Sequence, residues 1–232
     1  MSDNHTHSDT PSEALRRRGT AAALLVAPGL TLIASLVQQS PSAHDTASEL
    51  ASIAEAPGRA ELSAGLGFVA LALMVPALLG FARPLWDRST RLALTGLSLG
   101  IVGVLGLTAL MGSAPVTVAM VAASADRAEM VALTDRYEAS ALMGVWMVTM
   151  LVGYVLGPVI MGVAWWRVTG QWLVPVALVS GLVVQMADAG RWPLTVGYAL
   201  TWLGLGCAGA ALWRGRVGDR PEATRTPAVA VG

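Results

Sequence analysis

Two short segments of the chain carry the same pattern of charged residues. Residues 59–67 read RAELSAGLG, and residues 136–144 read RYEASALMG. Each segment has an arginine followed two positions later by a glutamate: Arg59 with Glu61, and Arg136 with Glu138. Guanidinium groups bind carboxylates and phosphates through charged hydrogen bonds, so the two pairs could form a vestibule for an anionic or zwitterionic ligand. A structural role is also open, because glutamate suits a first helical turn and arginine suits a headgroup region.

Three further residues are polar within or beside an apolar stretch: Gln185, Asp188 and Arg191. Ionisable groups inside a membrane are functional candidates, for example as proton relays. Asp188 lies about one turn from the end of its apolar run, so solvation at the membrane interface explains it more simply than a relay. Arg191 would be a third arginine of the vestibule.

The sequence lacks the motifs of cofactor and metal chemistry. Its three histidines, His5, His7 and His44, all lie outside the apolar runs, so no intramembrane pair can hold a haem. No CxxC, HExxH or phosphate-cradling GxxxxGK[ST] motif occurs. We therefore predict no cofactor, no metal and no catalytic residue. The net charge is zero, which disfavours nucleic acid as a partner.

The elements that must position these residues are apolar helices. Hydrophobic residues make up 54% of the chain and charged residues only 13%, where a soluble domain carries about 25% charged residues. About 20 apolar residues in a helix cross a bilayer core of about 30 Å. Six such runs predict an all-α, polytopic transmembrane helix bundle and a lipid bilayer as its surroundings; they are residues 20–38, 62–82, 92–112, 140–163, 172–189 and 194–213.

The arginines predict the direction of the six runs. Cytoplasmic loops carry an excess of basic residues. Eleven arginines fall on one side of the predicted membrane: Arg16, Arg17, Arg18, Arg83, Arg88, Arg91, Arg167, Arg214, Arg216, Arg220 and Arg225. The other four are Arg59, Arg127, Arg136 and Arg191. Both termini are therefore expected in the cytoplasm, with the protein in a bacterial inner membrane.

The first run has an alternative interpretation. Arginines 16–18 followed by an apolar stretch resemble a signal peptide, with Ala43 at a cleavage edge. Pro41 fits poorly at the third position before that cut, and the apolar run is long for a signal peptide. An uncleaved membrane anchor is the favoured interpretation.

An internal repeat divides the chain. Residues 19–90 align with residues 96–167 at an offset of 77, and the matches include Gly29-Leu30-Thr31 with Gly106-Leu107-Thr108. Each of these two copies contains an outgoing run, a polar segment and a returning run. A fainter third copy, in which residues 190–194 (GRWPL) resemble residues 58–62 (GRAEL), adds the last two runs, so the six runs are expected as three hairpins. Residues 19–214 would form the membrane domain, and residues 1–18 and 215–232 are predicted to be disordered cytoplasmic tails.

The polar segments within the two copies mix charged and apolar residues at helical spacing. We expect short amphipathic helices in residues 47–55 and 125–138, on the outer surface. In the second, Met130, Leu133 and Tyr137 could share one face. Such helices offer a surface for a protein partner, and nothing in the sequence determines the oligomeric state.

Three stretches carry a resemblance to a known kind of protein: APGRAEL, LLGFARPLW and RLALTG. Over residues 15–215 the chain resembles uncharacterised six-helix integral membrane proteins of GC-rich bacteria, a family of the domain-of-unknown-function type. The resemblance implies six membrane helices and brings no activity with it.

Two functions remain open at this point. The first is a non-enzymatic accessory or sensory membrane component whose outer helices contact a partner. The second is a small-solute or lipid-related transporter with a cavity among kinked helices near Gln185. An intramembrane enzyme has the least support, because no nucleophile and base fall together within the runs.

Overall fold

The computed structural model describes residues 11–38, 46–123, 126–187 and 191–215, and within these ranges every regular element is a helix. A short 3-10 turn, Arg83–Leu85, precedes the fourth α-helix. The α-helices of the described ranges are α1 (Pro11–Val37), α2 (Thr46–Glu55), α3 (Pro57–Ala82), α4 (Trp86–Met111), α5 (Ala114–Ala122), α6 (Arg127–Glu138), α7 (Ala141–Thr169), α8 (Leu173–Met186) and α9 (Arg191–Trp213).

Four of the helical stretches are long and apolar enough to cross a membrane: Leu15–Val37, Pro57–Ala122, Ala141–Thr169 and Pro193–Trp213. The second stretch contains α3, α4 and α5. The apolar helix α8 has only 14 residues. The prediction of an all-helical protein is therefore confirmed, and the four apolar stretches suggest contact with a lipid bilayer.

Local sequence accounts for several helix ends. Pro57 is the first residue of α3, where its missing N–H costs no hydrogen bond. Asp126 caps α6, and its carboxylate accepts from the backbone N–H groups of Ala128 and Glu129. Ser140 caps α7 in the same way, accepting from the N–H of Met143 at 3.2 Å. Gly170 ends α7 with φ 76°, a conformation that suits glycine.

Six helices form a closed ring, and we call them the bundle helices: α1, α3, α4, α7, α8 and α9. Each contacts the next one along the chain, and α9 returns to contact α1. Neighbours run antiparallel. Thr20, in the first half of α1, lies against Gly80 near the end of α3, and Ser63 in the first turns of α3 donates to the carbonyl of Ala34 near the end of α1.

Glycines bring α4 and α7 into direct backbone contact. A Cβ atom added at Gly103 would lie 2.3 Å from the backbone nitrogen of Tyr154. A Cβ added at Gly157 would lie 2.5 Å from the backbone nitrogen of Gly100. Neither distance is possible in a real structure, so the two helices approach this closely only because side chains are missing on both.

At the end of the ring where α3 ends and α8 begins, large side chains fill the interior. The largest fully buried side chains, which we call the core plug, are Leu24, Phe81, Leu85, Met161, Trp165, Val174 and Leu178. The rings of Phe81 and Trp165 have centroids 5.0 Å apart at an interplanar angle of 34°. The indole N–H of Trp165 donates to Gln171 Oε1 at 3.2 Å, which satisfies its polar edge within the plug.

The opposite end of the ring carries three short helices, α2, α5 and α6, which we call the cap layer. Helix α2 contacts both α5 and α6, and α5 also contacts α3. Leu50, Val118 and Met130 contribute one buried side chain from each helix. The hydroxyl of Thr46 donates to Asp135 Oδ1 at 2.9 Å, which joins α2 to α6. Short helices therefore occur in both segments where the sequence predicts them, and α5 is an addition.

The α4–α7 contact can be tested by adding one methyl group. We expect Gly103→Ala to lower the free energy of unfolding by about 1–3 kcal/mol, because the methyl group meets backbone atoms that cannot rotate away. Gly65→Ala is the matched control, since a Cβ there meets nothing within 4 Å and alanine favours the helix. Unfolding in detergent, followed by circular dichroism, measures both. Equal effects of the two substitutions would contradict the close-approach argument.

Candidate functional site

Arg59 caps a neighbouring helix. It is the third residue of α3, and its Nη2 donates to the carbonyl oxygen of Val37, the last residue of α1, at 3.2 Å. The last carbonyls of a helix lack partners within the helix and carry the negative end of its dipole. The guanidinium group of Arg59 therefore stabilises the end of α1 and joins it to the start of α3. Glu61, one half-turn further along α3, is exposed.

The second copy of the motif lies in a different structural position. Arg136 and Glu138 belong to the last turn of the short helix α6, whereas α7 begins only at Ala141. Both side chains are exposed. Arg136 can favour the negative end of the α6 dipole. Ser63 and Ser140 occupy matching positions of the repeat, and their roles differ as well. Ser63 bonds to a neighbouring helix, whereas Ser140 caps its own helix.

A second glutamate shares the surroundings of Glu138. Glu49 lies in the first turn of α2, and the pKa of its carboxyl group is raised above the ordinary value of 4.5. Loss of solvent around the carboxyl group is the larger cause, and the negative charge of Glu138 is the second. The contact between α2 and α6 therefore brings two like charges together at neutral pH.

Gln185 takes part in a contact between helices. Its Nε2 donates to Thr201 Oγ1 at 3.0 Å, and the Thr201 hydroxyl donates to the carbonyl of Gly197 at 3.0 Å. Both polar side chains are thus satisfied between α8 and α9. Asp188 lies outside the described residues, and Arg191 is the first residue of α9.

The predicted vestibule residues share the capped end of the ring without direct contacts between the two motifs. Across the described ranges, no hydrogen bond or ion pair joins Arg59 or Glu61 to Arg136 or Glu138. Instead, Arg59 bonds to the α1 backbone, and the negative charge of Glu138 helps to raise the pKa of Glu49. Within the part of the chain that the structure describes, no group of three His, Cys, Asp or Glu side chains is arranged to hold a metal ion.

A cleft at the plug end is a site that the sequence does not indicate. It has a volume of about 410 Å³ and lies between the α7–α8 connection and the last turns of α9. Gln171, Trp172, Cys207 and Arg214 are among the residues that line it. In the sequence, Gln171, Trp172 and Arg214 lie beside the ends of apolar runs, and Cys207 lies within the last run. Only the closure of the ring brings the ends of α7, α8 and α9 together.

Comparison with known proteins adds no family or relative: no family model, no curated protein and no solved structure matches the chain.

The role of Arg59 can be separated from that of its repeat partner. We expect Arg59→Ala to lower the free energy of unfolding by about 0.5–1.5 kcal/mol, through loss of one hydrogen bond to the end of α1. Arg136→Ala is the matched control and should change it little, because Arg136 is exposed with no hydrogen bond or ion pair within the described ranges. Denaturant titration in detergent measures both variants. Equal losses would show that the bond to Val37 is unimportant.

The raised pKa of Glu49 predicts a pH effect on stability. Because folding raises the pKa of Glu49, ionisation of this carboxyl group opposes folding above that raised pKa, and the opposition disappears as pH falls to about its ordinary value. We expect Glu49→Gln to raise the melting temperature at pH 7 and to leave it unchanged near pH 4. Glu138→Gln, which removes the second cause, should give a smaller rise. An identical difference at both pH values would contradict the argument.

Proposed function

We propose that the chain is an integral protein of a bacterial inner membrane with six spans in three hairpins and both termini in the cytoplasm. Within that membrane it would act as a non-enzymatic accessory or sensory component. Its cap layer would face the outer side and bind a protein partner. The exposed apolar surface of the cap layer is the observation that carries the proposal.

The ring supports six spans. Each predicted apolar run lies on one bundle helix, and neighbouring bundle helices run antiparallel. The antiparallel order brings the arginine-rich ends together: the start of α1, the start of α4, the end of α7 and the end of α9. An excess of arginine at one end favours a cytoplasmic position for it. The cap layer then lies on the other side of the membrane.

The cap layer presents apolar side chains that its own packing does not use. Met130 of α6 is buried, whereas Leu133 and Tyr137, one turn apart on the same helix, are 54% and 38% exposed. Val116 of α5 is 59% exposed. Exposed apolar groups rimmed by charged residues are typical of interaction surfaces. Arg127, Glu129 and Arg136 supply such charges on α6.

Polar groups between the bundle helices support a scaffold role. The Ser63 hydroxyl donates to Ala34 O, and the indole N–H of Trp202 donates to Leu25 O at 2.9 Å. Together with the bond from Gln185 to Thr201, these contacts join α3 to α1, α9 to α1 and α8 to α9. Polar side chains used in this way hold the ring together and leave fewer groups to coordinate a solute.

One observation favours the alternative of a small-solute or lipid-related transporter. Tyr154 of α7 and Tyr198 of α9 place two half-buried phenol groups on bundle helices. A phenol group between apolar helices can donate a hydrogen bond to a solute. The kinks needed for a cavity have candidates in Pro28, Pro76 and Pro158, which lie inside α1, α3 and α7.

Site-specific photocrosslinking in intact cells distinguishes the two functions. We expect a benzophenone amino acid at Leu133 or Tyr137 to yield one discrete protein adduct. The same probe at Leu94, an exposed apolar position on the bundle helix α4, is the matched control and should give no protein adduct. The adduct should disappear when Leu133→Asp is combined with a probe at Tyr137, while the melting temperature stays unchanged.

The transporter is tested on the same protein in liposomes. Uptake of a solute that Tyr154→Phe and Tyr198→Phe both abolish, without any adduct from the cap layer, would overturn the accessory function. An adduct of equal yield from Leu94 would also contradict it, because contact would then not be confined to the cap layer.

A further inference from the structure

The cleft between α7, α8 and α9 is amphipathic. Its volume of about 410 Å³ falls within the range of small-ligand sites. Most of its lining is apolar and includes Leu173, Val174 and Ala211. Gln171 and Arg214 contribute polar groups to the same lining. A ligand that fills the cleft must therefore have both an alkyl part and a polar part.

The polar groups of the lining are hydrogen-bond donors. Arg214 has no hydrogen bond or ion pair from its side chain to another described residue. Gln171 accepts from the Trp165 indole through Oε1. Because an indole N–H can only donate, the accepting atom must be the amide oxygen, and the Nε2 group of Gln171 is left as a donor. The described lining includes no acidic residue.

The start of α8 adds to this positive character. Its capping residue, Trp172, supplies no side-chain hydrogen bond to the first turn. The first N–H groups of a helix lack partners within it and carry the positive end of the dipole. Leu173 and Val174, whose N–H groups belong to that turn, both line the cleft. Guanidinium, amide and backbone donors together suit an anion such as a phosphodiester.

Tryptophans place the cleft at a membrane interface. Trp172 and Trp213 are 63% and 51% exposed, and both lie at the end of the ring that holds Arg167 and Arg214. Exposed tryptophans are enriched at the level of lipid headgroups. At this depth a phosphate group can contact Arg214 while an acyl chain contacts the apolar part of the lining.

We propose that this cleft binds one molecule of an anionic phospholipid, with its phosphate at Arg214 and Gln171 and an acyl chain against Leu173, Val174 and Ala211. The proposal depends on the placement of the chain in a membrane. It is independent of partner binding at the cap layer, which lies at the other end of the ring. Either proposal can fail while the other holds.

Cys207 provides the probe, because it is the only cysteine in the chain and lines the cleft. We expect phosphatidylglycerol, added to delipidated protein in detergent at ten times its Kd, to slow alkylation of Cys207 by N-ethylmaleimide about tenfold, because the unbound fraction falls as 1/(1 + [L]/Kd). Phosphatidylcholine at the same concentration should protect much less. Arg214→Gln should remove the difference between the two lipids.

Arg167→Gln is the matched control, since Arg167 is an exposed arginine at the same end of the ring that does not line the cleft. It should keep the preference for phosphatidylglycerol. Native mass spectrometry of the same variants gives a second readout by counting retained lipids, which remains available if Cys207 reacts too slowly.

Four results would overturn the proposal. The first is equal protection by the two lipids in the unmodified chain. The second is full protection by inorganic phosphate alone, which would indicate a free-anion site. The third is no protection and no retained lipid. The fourth is faster alkylation, without lipid, of a chain shortened to end at residue 217, which would indicate that the chain's own C-terminal segment occupies the cleft.

Discussion

Lipid hydrocarbon gives two apolar helices no hydrophobic reason to associate, so the contact between α4 and α7 must come from packing at close range. Gly103 and Gly157 allow the two backbones to touch. The other ring contacts are built around this pair, since α3 packs on the far side of α4 and α8 on the far side of α7. Helices α8 and α9 also approach closely at glycines, because a Cβ at Gly181 would lie 2.7 Å from the carbonyl oxygen of Gly197.

The two ends of the ring are held together by different means. At one end the core plug fills the interior with large side chains, and Phe81 and Trp165 stack within it. At the other end hydrogen bonds join the helices, from Arg59 to Val37 and from Ser63 to Ala34. The cap layer covers this second end.

The sequence was sufficient to predict the helices of the ring and two helices of the cap layer, because apolar runs and amphipathic spacing are local patterns. It did not indicate α5, because residues 114–122 contain no charged residue and so lack the mixed pattern of the other two cap helices. The partner of Arg59 could not be predicted either. Val37 is 22 residues away, and the two meet only after α1 and α3 pack together. The repeat likewise does not predict that Ser63 and Ser140 play different roles. The two serines match in sequence, but Ser63 bonds to a neighbouring helix and Ser140 caps its own helix.

The length of α8 has a consequence for the surrounding lipid. Fourteen residues rise only about 21 Å, roughly 9 Å less than the hydrocarbon thickness of an average bilayer. Its neighbour α7 has 29 residues. In a bilayer the ring would therefore have a shorter hydrophobic length at α8 than at α7. Lipids with shorter or more disordered tails would be enriched next to α8. Thicker membranes would increase the hydrophobic mismatch most at α8, which would make the orientation of α8 sensitive to bilayer thickness.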